Sequence, residues 1–486
     1  MLQTVNCDAG IKETVPEDRI SALPDDLLVI ILDLVPTKDA VATMFLSKRW
    51  FSVWTMKQRL EYKDTIEEEE DSDDDDDDDD DKHVDDDEHE HEKAVEVESK
   101  KSVWWFLENS LQLHRAPVIR SLCIELGPSC PTDAHVGKWV ANAVDRWVLE
   151  IKLKLLWSAV DPASLPNTLY SCKSLVILTL SDKILVDVPS SASLPSLRFL
   201  ELDYVVYKDD DSLVRLLASC PILATLCVKR NDKDDNVTRF RVEVPNLSSL
   251  SYRNYRYGCG VGDTGRYLVI VTPALTHFDF RDSSGDSCSM ELPGLDSAVI
   301  DTASYYPDDK FLRSLSSVSS LALFLTAATV VCCSTIKFSR LIDCEILPEE
   351  TDWVKPTLLF LENSPKLKTL VINCVRVLPP ASNFADVLKE EYTTKDLPLS
   401  WIQPSFVPGC VSSQLEDIEW NGYADRSEEE EFLTYLLANS NCLKTATISL
   451  RLTCEFESTF ELAKEMTIDG LKDIPRVSTE SQLIIN

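Results

Sequence analysis

The sequence predicts an α/β protein. A short N-terminal three-helix segment is followed by an irregular solenoid, a curved parallel sheet with helices or loops on its convex side, and a distinct C-terminal cap closes it. Three observations carry this. Residues 18–54 hold more large apolar side chains than three short helices can bury among themselves. A near-pure acidic run, 67–92, follows them. From residue 119 onward an apolar phrase, with the second apolar residue three positions on and the third two further, recurs every 22 to 29 residues as far as Leu275.

Taken in order, residues 1–15 read as a loose tail. Residues 16–62 form the helical segment. In the first helix Leu23, Leu27, Leu28, Ile30, Ile31, Leu32, Leu34 and Val35 crowd together, with Pro24 suited to the first turn and Asp25 and Asp26 at its positive end. Pro36 stops it. Thr37 is expected to cap a second helix, Lys38 to Phe45, and Ser47 a third carrying Trp50, Phe51 and Trp54. The first helix is apolar nearly all round. Either it folds onto its own domain, or a second protein surface covers part of it. In the second case about seven side chains at roughly 1.5–3 kcal/mol each give a gross burial term above about 10 kcal/mol, before association costs.

DRISALPDDLL (18–28), PTKDAV (36–41), LSKRW (46–50) and Trp54 resemble, in order and spacing, a plant F-box. Val35 stands where Leu is usual, and Met44 and Phe51 replace commoner polar or basic residues; no apolar anchor is lost. The resemblance implies a helical hook that docks on a Skp-type adaptor, which joins a cullin scaffold. Leu23, Pro24, Leu27, Leu28, Ile31, Leu32, Val35 and Pro36 would then face the adaptor, and Trp50 and Trp54 would pack the hook or close its edge.

Residues 63–100 centre on the acidic run, which holds 20 acidic residues, including nine consecutive aspartates from Asp73 to Asp81, and one Lys. Self-repulsion and missing apolar residues make it an extended, solvated linker. Capture of a basic partner, such as a histone, is the alternative; weak cation binding by His83, His89 and His91 is a remoter one. The formal charge of -35 falls to about -16 without this run and argues against general nucleic-acid binding.

Residues 101–410 turn globular. VWWFLENSLQLH reads as an opening helix. The phrase then runs through Ile119–Leu122–Ile124, Val148–Ile151–Leu153, Leu175–Leu178–Leu180, Leu197–Leu200–Leu202, Leu223–Leu226–Val228, Leu247–Leu250–Tyr252 and Leu275–Phe278–Phe280. A fainter copy is Val318–Leu321–Leu323, and later ones begin at Leu367, Leu415 and Leu443. One strand plus one return segment per interval is the signature of a leucine-rich-repeat solenoid. LLASCPIL, FLENSPKL and LLANSNCL read as helices ending in a small polar turn, in which Cys220 shares a slot with Ser364 and Ser440; Cys172 shares it too. A slot taking Ser or Cys is a packing position.

Side chains between the apolar ones line the sheet's concave face, a candidate target surface. From Lys229 to Arg266 there are eight basic and five acidic residues, and Lys229, Arg253, Tyr255, Arg256, His277 and Arg281 are the candidate target contacts. An ordinary hairpin with exposed rings is the competing reading. Gly260, Gly262 and Gly265 spell a dinucleotide fingerprint, but RYLVIVTP after them is a strand, so they read as a turn. The rhythm weakens from Asp282 to Thr357, and Arg376 to Pro408 reads as an insertion.

Residues 411–486 form the cap. Leu415, the strand Ile418–Trp420, Gly422, Tyr423, an acidic turn, the helix Glu430 to Leu437 and Lys444 resemble the FBD motif of plant F-box proteins, and IPRVS (474–478) precedes a last strand. Together these resemblances imply the plant F-box/FBD/LRR-repeat family. They imply a substrate-recognition adaptor of an SCF-type ubiquitin ligase, holding an unknown protein target, with no catalysis of its own. The alternative is a non-ligase protein whose acidic run sequesters basic proteins. No catalytic motif, metal-ligand spacing or cofactor motif occurs. Neither a membrane-length apolar run nor a secretory signal is evident. Fifteen scattered cysteines fit reduced thiols in the cytoplasm or nucleus.

Overall fold

The computed structural model describes residues 20, 22–64, 103–128, 130–131, 135–156, 161–231, 236–255, 266–283, 287–301, 314–325, 329, 336–348, 352–374, 401–451, 457–478 and 480–486. The chain divides into two compact units, Met1–Val160 and Asp161–Asn486.

The first unit opens with α1 (Asp25–Leu32), α2 (Thr37–Ala42) with a 3-10 turn after it (Thr43–Phe45), and α3 (Lys48–Trp54). Pro36, not Thr37, holds the N-cap position of α2, and the expected helix to Phe45 loses its last turn to 3-10 geometry. Strand β1 (Arg59–Lys63) follows at once, then α4 (Trp104–Leu113), β2 (Ser121–Leu126), α5 (Val136–Val144) and β3 (Glu150–Leu155). β1, β2 and β3 form a parallel ladder, Leu60↔Leu122↔Ile151 and Tyr62↔Ile124↔Leu153. In all three, alternate residues are buried, as a sheet with one covered face requires.

β1 precedes the acidic run. The Asp64 carboxylate accepts bonds from the Val103 amide and, at 2.7 Å, from the Gly127 amide, so the chain leaves at 64 and returns beside the same carboxylate. Residues 65–102 therefore do not separate the helices from the sheet, contrary to the linker reading. The run itself lies outside the described residues.

The second unit carries the parallel strands β5 (Ile177–Asp182), β7 (Phe199–Asp203), β9 (Thr225–Asn231), β11 (Ser249–Tyr255), β13 (His277–Asp282), β15 (Ser297–Asp301), β16 (Ser320–Leu325), β17 (Asp343–Pro348), β18 (Thr369–Asn373), β19 (Asp417–Tyr423), β20 (Thr445–Leu450) and β21 (Gln482–Ile485), adjacent in that order. Every strand expected from the phrase is present. β1, β15 and β17 are additional rungs, carrying Leu60/Tyr62, Ala298/Ile300 and Cys344/Ile346 inward.

Returns between rungs take two forms. Helices α6 (Ser212–Ala218), α7 (Val354–Glu362), α8 (Gly409–Ser413) and α9 (Ser427–Asn439) serve some repeats. Short strands serve others, building the parallel ribbons β4 (Ala163–Ser164)–β6 (Ile184–Val186)–β8 (Val206–Tyr207) and β10 (Arg239–Glu243)–β12 (Tyr267–Val271)–β14 (Ser287–Glu291). In the latter the return ends in a proline-led turn (VPNL, TPAL, LPGL), because proline cannot donate to a continuing ladder. A long helix, α10 (Glu457–Asp473), precedes β21.

The shared Ser/Cys slot has a common chemistry. Ser364 Oγ donates to the Phe360 carbonyl at 2.8 Å, Ser440 Oγ to Leu436 at 2.7 Å, and Cys220 Sγ to Leu216 at 3.2 Å, all buried. Each bonds a carbonyl in the last turn of the helix, where the i to i+4 amide ladder ends; Phe360 and Leu216 also accept the amide three residues on. Cys172, also buried, ends a 3-10 turn and contacts Ser174 instead. Over the last rungs Trp353, Trp420, Phe432 and Tyr423 pack edge to face, with centroids 5.4 to 6.1 Å apart.

Candidate functional site: the N-terminal hook and the open sheet face

Helix α1 uses two opposite faces. Leu28 and Leu32, four apart, are 0% and 3% exposed and pack with Ala40, Val53 and Trp54 into a small core ringed by Leu23, Val29, Val35, Val41, Met44 and Trp50. Leu27, Ile30, Ile31 and Leu34 recur at the other helical spacing and remain 46%, 58%, 40% and 83% exposed; Phe45 and Leu46, after α2, are 81% and 69% exposed. Leu28 and Leu32, expected among the adaptor contacts, thus belong to the hook's own core. Trp54 packs the hook as expected, and Trp50 is partly buried against the same core. Pro24 and Pro36 are exposed, and Leu23 and Val35 half-buried. Ile30, Leu34, Phe45 and Leu46 were missing from the expected set.

The hook is fastened by polar contacts at its base. Arg49 pairs with Asp25 at 2.7 Å and donates to the Leu23 carbonyl, tying α3 to the start of α1. Lys57, 1% exposed, donates to the carbonyls of Leu32, which also accepts the Val35 amide, and of Val35, the latter at 2.9 Å, just past the end of α1. Burial lowers its pKa, against the charges of Asp33 and Glu61.

Two side chains then close the free edge of β1. Asp33 Oδ1 accepts from the Gln58 and Arg59 amides at 2.8 and 3.0 Å, and buried Thr37 Oγ1 accepts from the Glu61 amide at 2.7 Å. Thr37 therefore serves a strand rather than capping its helix. Arg146 donates to His114 Nδ1 at 2.7 Å; His114 Nε2 must carry the ring proton, which it gives to the Lys57 carbonyl at 2.6 Å. Burial pushes the His114 pKa down to about 4.

The open face of the sheet is charged but mostly self-paired where basic contacts were expected. Lys229 bonds Asp203 at 2.6 Å, and Arg253 and Arg281 converge on Asp279 at 2.7 and 3.1 Å. Burial raises the Asp279 pKa, but the bonds and charges of the two guanidiniums outweigh it and hold the carboxyl below its ordinary value. Arg281 also lies over the Phe324 ring, 5.3 Å from its centroid. His277 is exposed, with Nδ1 2.8 Å from Thr276 Oγ1. Register brings Lys229, Arg253 and Arg281 side by side on β9, β11 and β13. Tyr255 lies on β11 with its side chain outside the described residues, as is Arg256 altogether. Nearby Arg230 is buried; it donates to the Tyr252 hydroxyl and the Val237 carbonyl and covers Phe240, so this part of the basic island serves packing.

Three family models match stretches of this chain: F-box domain over residues 20–62, FBD-associated F-box protein At5g56370 LRR repeats over 136–284, and FBD over 403–448. A putative FBD-associated F-box protein of Arabidopsis thaliana, At1g05080, is 53% identical over 98% of this chain and 99% of its own length. This chain is an F-box/FBD/LRR-repeat protein. Two further Arabidopsis thaliana relatives, the putative F-box/FBD/LRR-repeat proteins At1g22000 and At3g49480, are 44% and 40% identical over 100% and 96% of this chain, and 94% and 96% of theirs. Membership of the F-box/FBD/LRR-repeat family brings the general role of an F-box adaptor in ubiquitination, and its architecture is typical of non-catalytic adaptor subunits. Among the described residues of this F-box protein, no helix is long and apolar enough to cross a membrane.

Proposed function

We propose that this chain is the target-recognition subunit of an SCF-type (Skp–cullin–F-box) ubiquitin ligase. The single observation that carries the reading is the stripe Leu27–Ile30–Ile31–Leu34, left exposed while Leu28 and Leu32 of the same segment are packed into the hook's core; Phe45 and Leu46 after α2 are exposed as well. A contiguous apolar ridge of this kind is a docking surface. The Skp-type adaptor covers it, with Leu23, Pro24, Val35 and Pro36 at its margin, and through that adaptor the chain joins a cullin. The repeats hold a protein target, with Lys229, Arg253, Tyr255, Arg256, His277 and Arg281 as candidate contacts. The chain works by proximity, raising the effective concentration of target beside the transfer machinery in the cytoplasm or nucleus, and does no chemistry itself. The test is capture of a purified plant Skp-type adaptor by the full chain. Leu27→Asp with Leu34→Asp should abolish capture while the circular dichroism spectrum stays unchanged; undiminished capture overturns the assignment.

A further inference from the structure

Beyond the basic cluster, the open face changes character. Across β16 to β21 the register aligns Ala322, Glu345, Val371, Glu419, Thr447 and Ile484 in one row. Phe324 and Leu347 add half-buried apolar surface on the same side, and Ile484 is 41% exposed. Among the described residues, that side of these six strands carries Asp343, Glu345, Asp417 and Glu419 and no Lys, Arg or His.

Glu345 and Glu419 are held but not neutralised. Asn373 donates to Glu345 Oε1 at 2.9 Å and Asn421 to Glu419 Oε1 at 2.8 Å, and the second oxygen of each accepts nothing among the described residues. Nearest in sequence, Arg340 pairs with Asp296 and Arg426 with Glu429, while Lys368 and Lys444, in the turns before β18 and β20, are both bonded to Glu416. Earlier in the same sheet, on β7 and β13, Asp203 and Asp279 each have a cation in direct contact. Like charges fixed on one face without compensation destabilise a sheet, so a cation from outside would relieve that repulsion.

We propose that the open face of β16–β21 binds a basic, extended segment of the target chain, with two cations straddling Val371. This deepens the receptor reading above and rests on it. Glu345 and Glu419 lie two strands apart, roughly 10 Å at sheet spacing. That matches about three residues of extended chain, so the segment carries lysine or arginine at positions i and i+3. Their aliphatic stems cover Val371 and Thr447, while their charged heads reach the free carboxylate oxygens. Small apolar residues between the cations meet Ala322, Phe324 and Leu347.

The test is fluorescence anisotropy with the full chain and a labelled octapeptide carrying lysines three positions apart around Val and Ala. Glu345→Gln with Glu419→Gln, which keeps size and the asparagine bonds, should weaken binding at least tenfold. Glu345→Lys with Glu419→Lys should transfer preference to the matching peptide with glutamates in place of lysines. Affinity should fall with added salt. Binding unchanged by either pair, as would follow if the peptide sat on the acidic run, overturns the proposal. Adaptor capture measured on the same preparation separates this outcome from failure of the receptor reading.

Discussion

Lys57 Nζ donates to the Val35 carbonyl oxygen at 2.9 Å, from a side chain almost wholly out of solvent. A lysine buried to serve the C-terminal carbonyls of a helix is expensive to leave unmade. Lys57→Met should therefore destabilise the hook by about 2–3 kcal/mol, through carbonyls left without donors. Hydrogen exchange of the α1 amides reads this directly: faster exchange in α1 with β20 unchanged is the expected pattern.

The two faces of α1 give opposite mutational signatures. Leu28→Ala removes a core side chain and should cost about 2–5 kcal/mol. Leu34→Ala, at 83% exposure, should move stability by about 0.5 kcal/mol or less. Urea denaturation of the two variants checks the assignment of faces without any partner present.

His114 links the base of the hook to pH. Its folded pKa, about 4, lies below the ordinary 6.5. Between these values the unfolded chain binds a proton that the folded chain refuses. The stabilisation is therefore complete above about pH 6.5 and is lost as pH falls toward 4, by about 3 kcal/mol in total. His114→Gln removes this component, so the fall in urea midpoint from pH 7 to pH 4.5 should be shallower in the variant than in the parent.

The small slot at the helix–strand turn predicts a size rule. Cys220→Ser should be nearly neutral, because serine bonds the equivalent carbonyl at positions 364 and 440. Ser440→Leu should cost about 2–4 kcal/mol, from overpacking together with the lost bond. Thermal melting of the two variants distinguishes them.

What the sequence disclosed follows from which signals are local. The rungs were legible because strand burial has period two, and Leu or Phe at the alternating sites marks each rung without knowledge of its neighbours. β15 and β17 escaped because Ala298 and Cys344 hold the central inward positions, where apolar contrast is low. β1 escaped because Leu60 and Tyr62 stand among charged residues and were read as the end of the helical segment. In the hook, Leu27 and Ile31 are exposed, as the expected contacts need to be, whereas Leu28 and Leu32 are buried in its own core. A helix apolar all round does not say which stripe meets its own core; Val53, Trp54 and Ala40 decide that in three dimensions. The pairing of the candidate basic contacts was hidden for a related reason: Asp203 lies on a different strand from Lys229, and Asp279 from Arg253, so these pairs emerge only from register.

Asp64 holds both the departing and the returning chain around residues 65–102, while Asp33 and Thr37 fix the ridge to the first rung. The seat of the hook on β1 is thus settled before the acidic stretch begins. A change in the length or charge of that stretch would leave this seat untouched, because the bonds that fix it are made by Asp33, Thr37 and Asp64, all on the near side of the run.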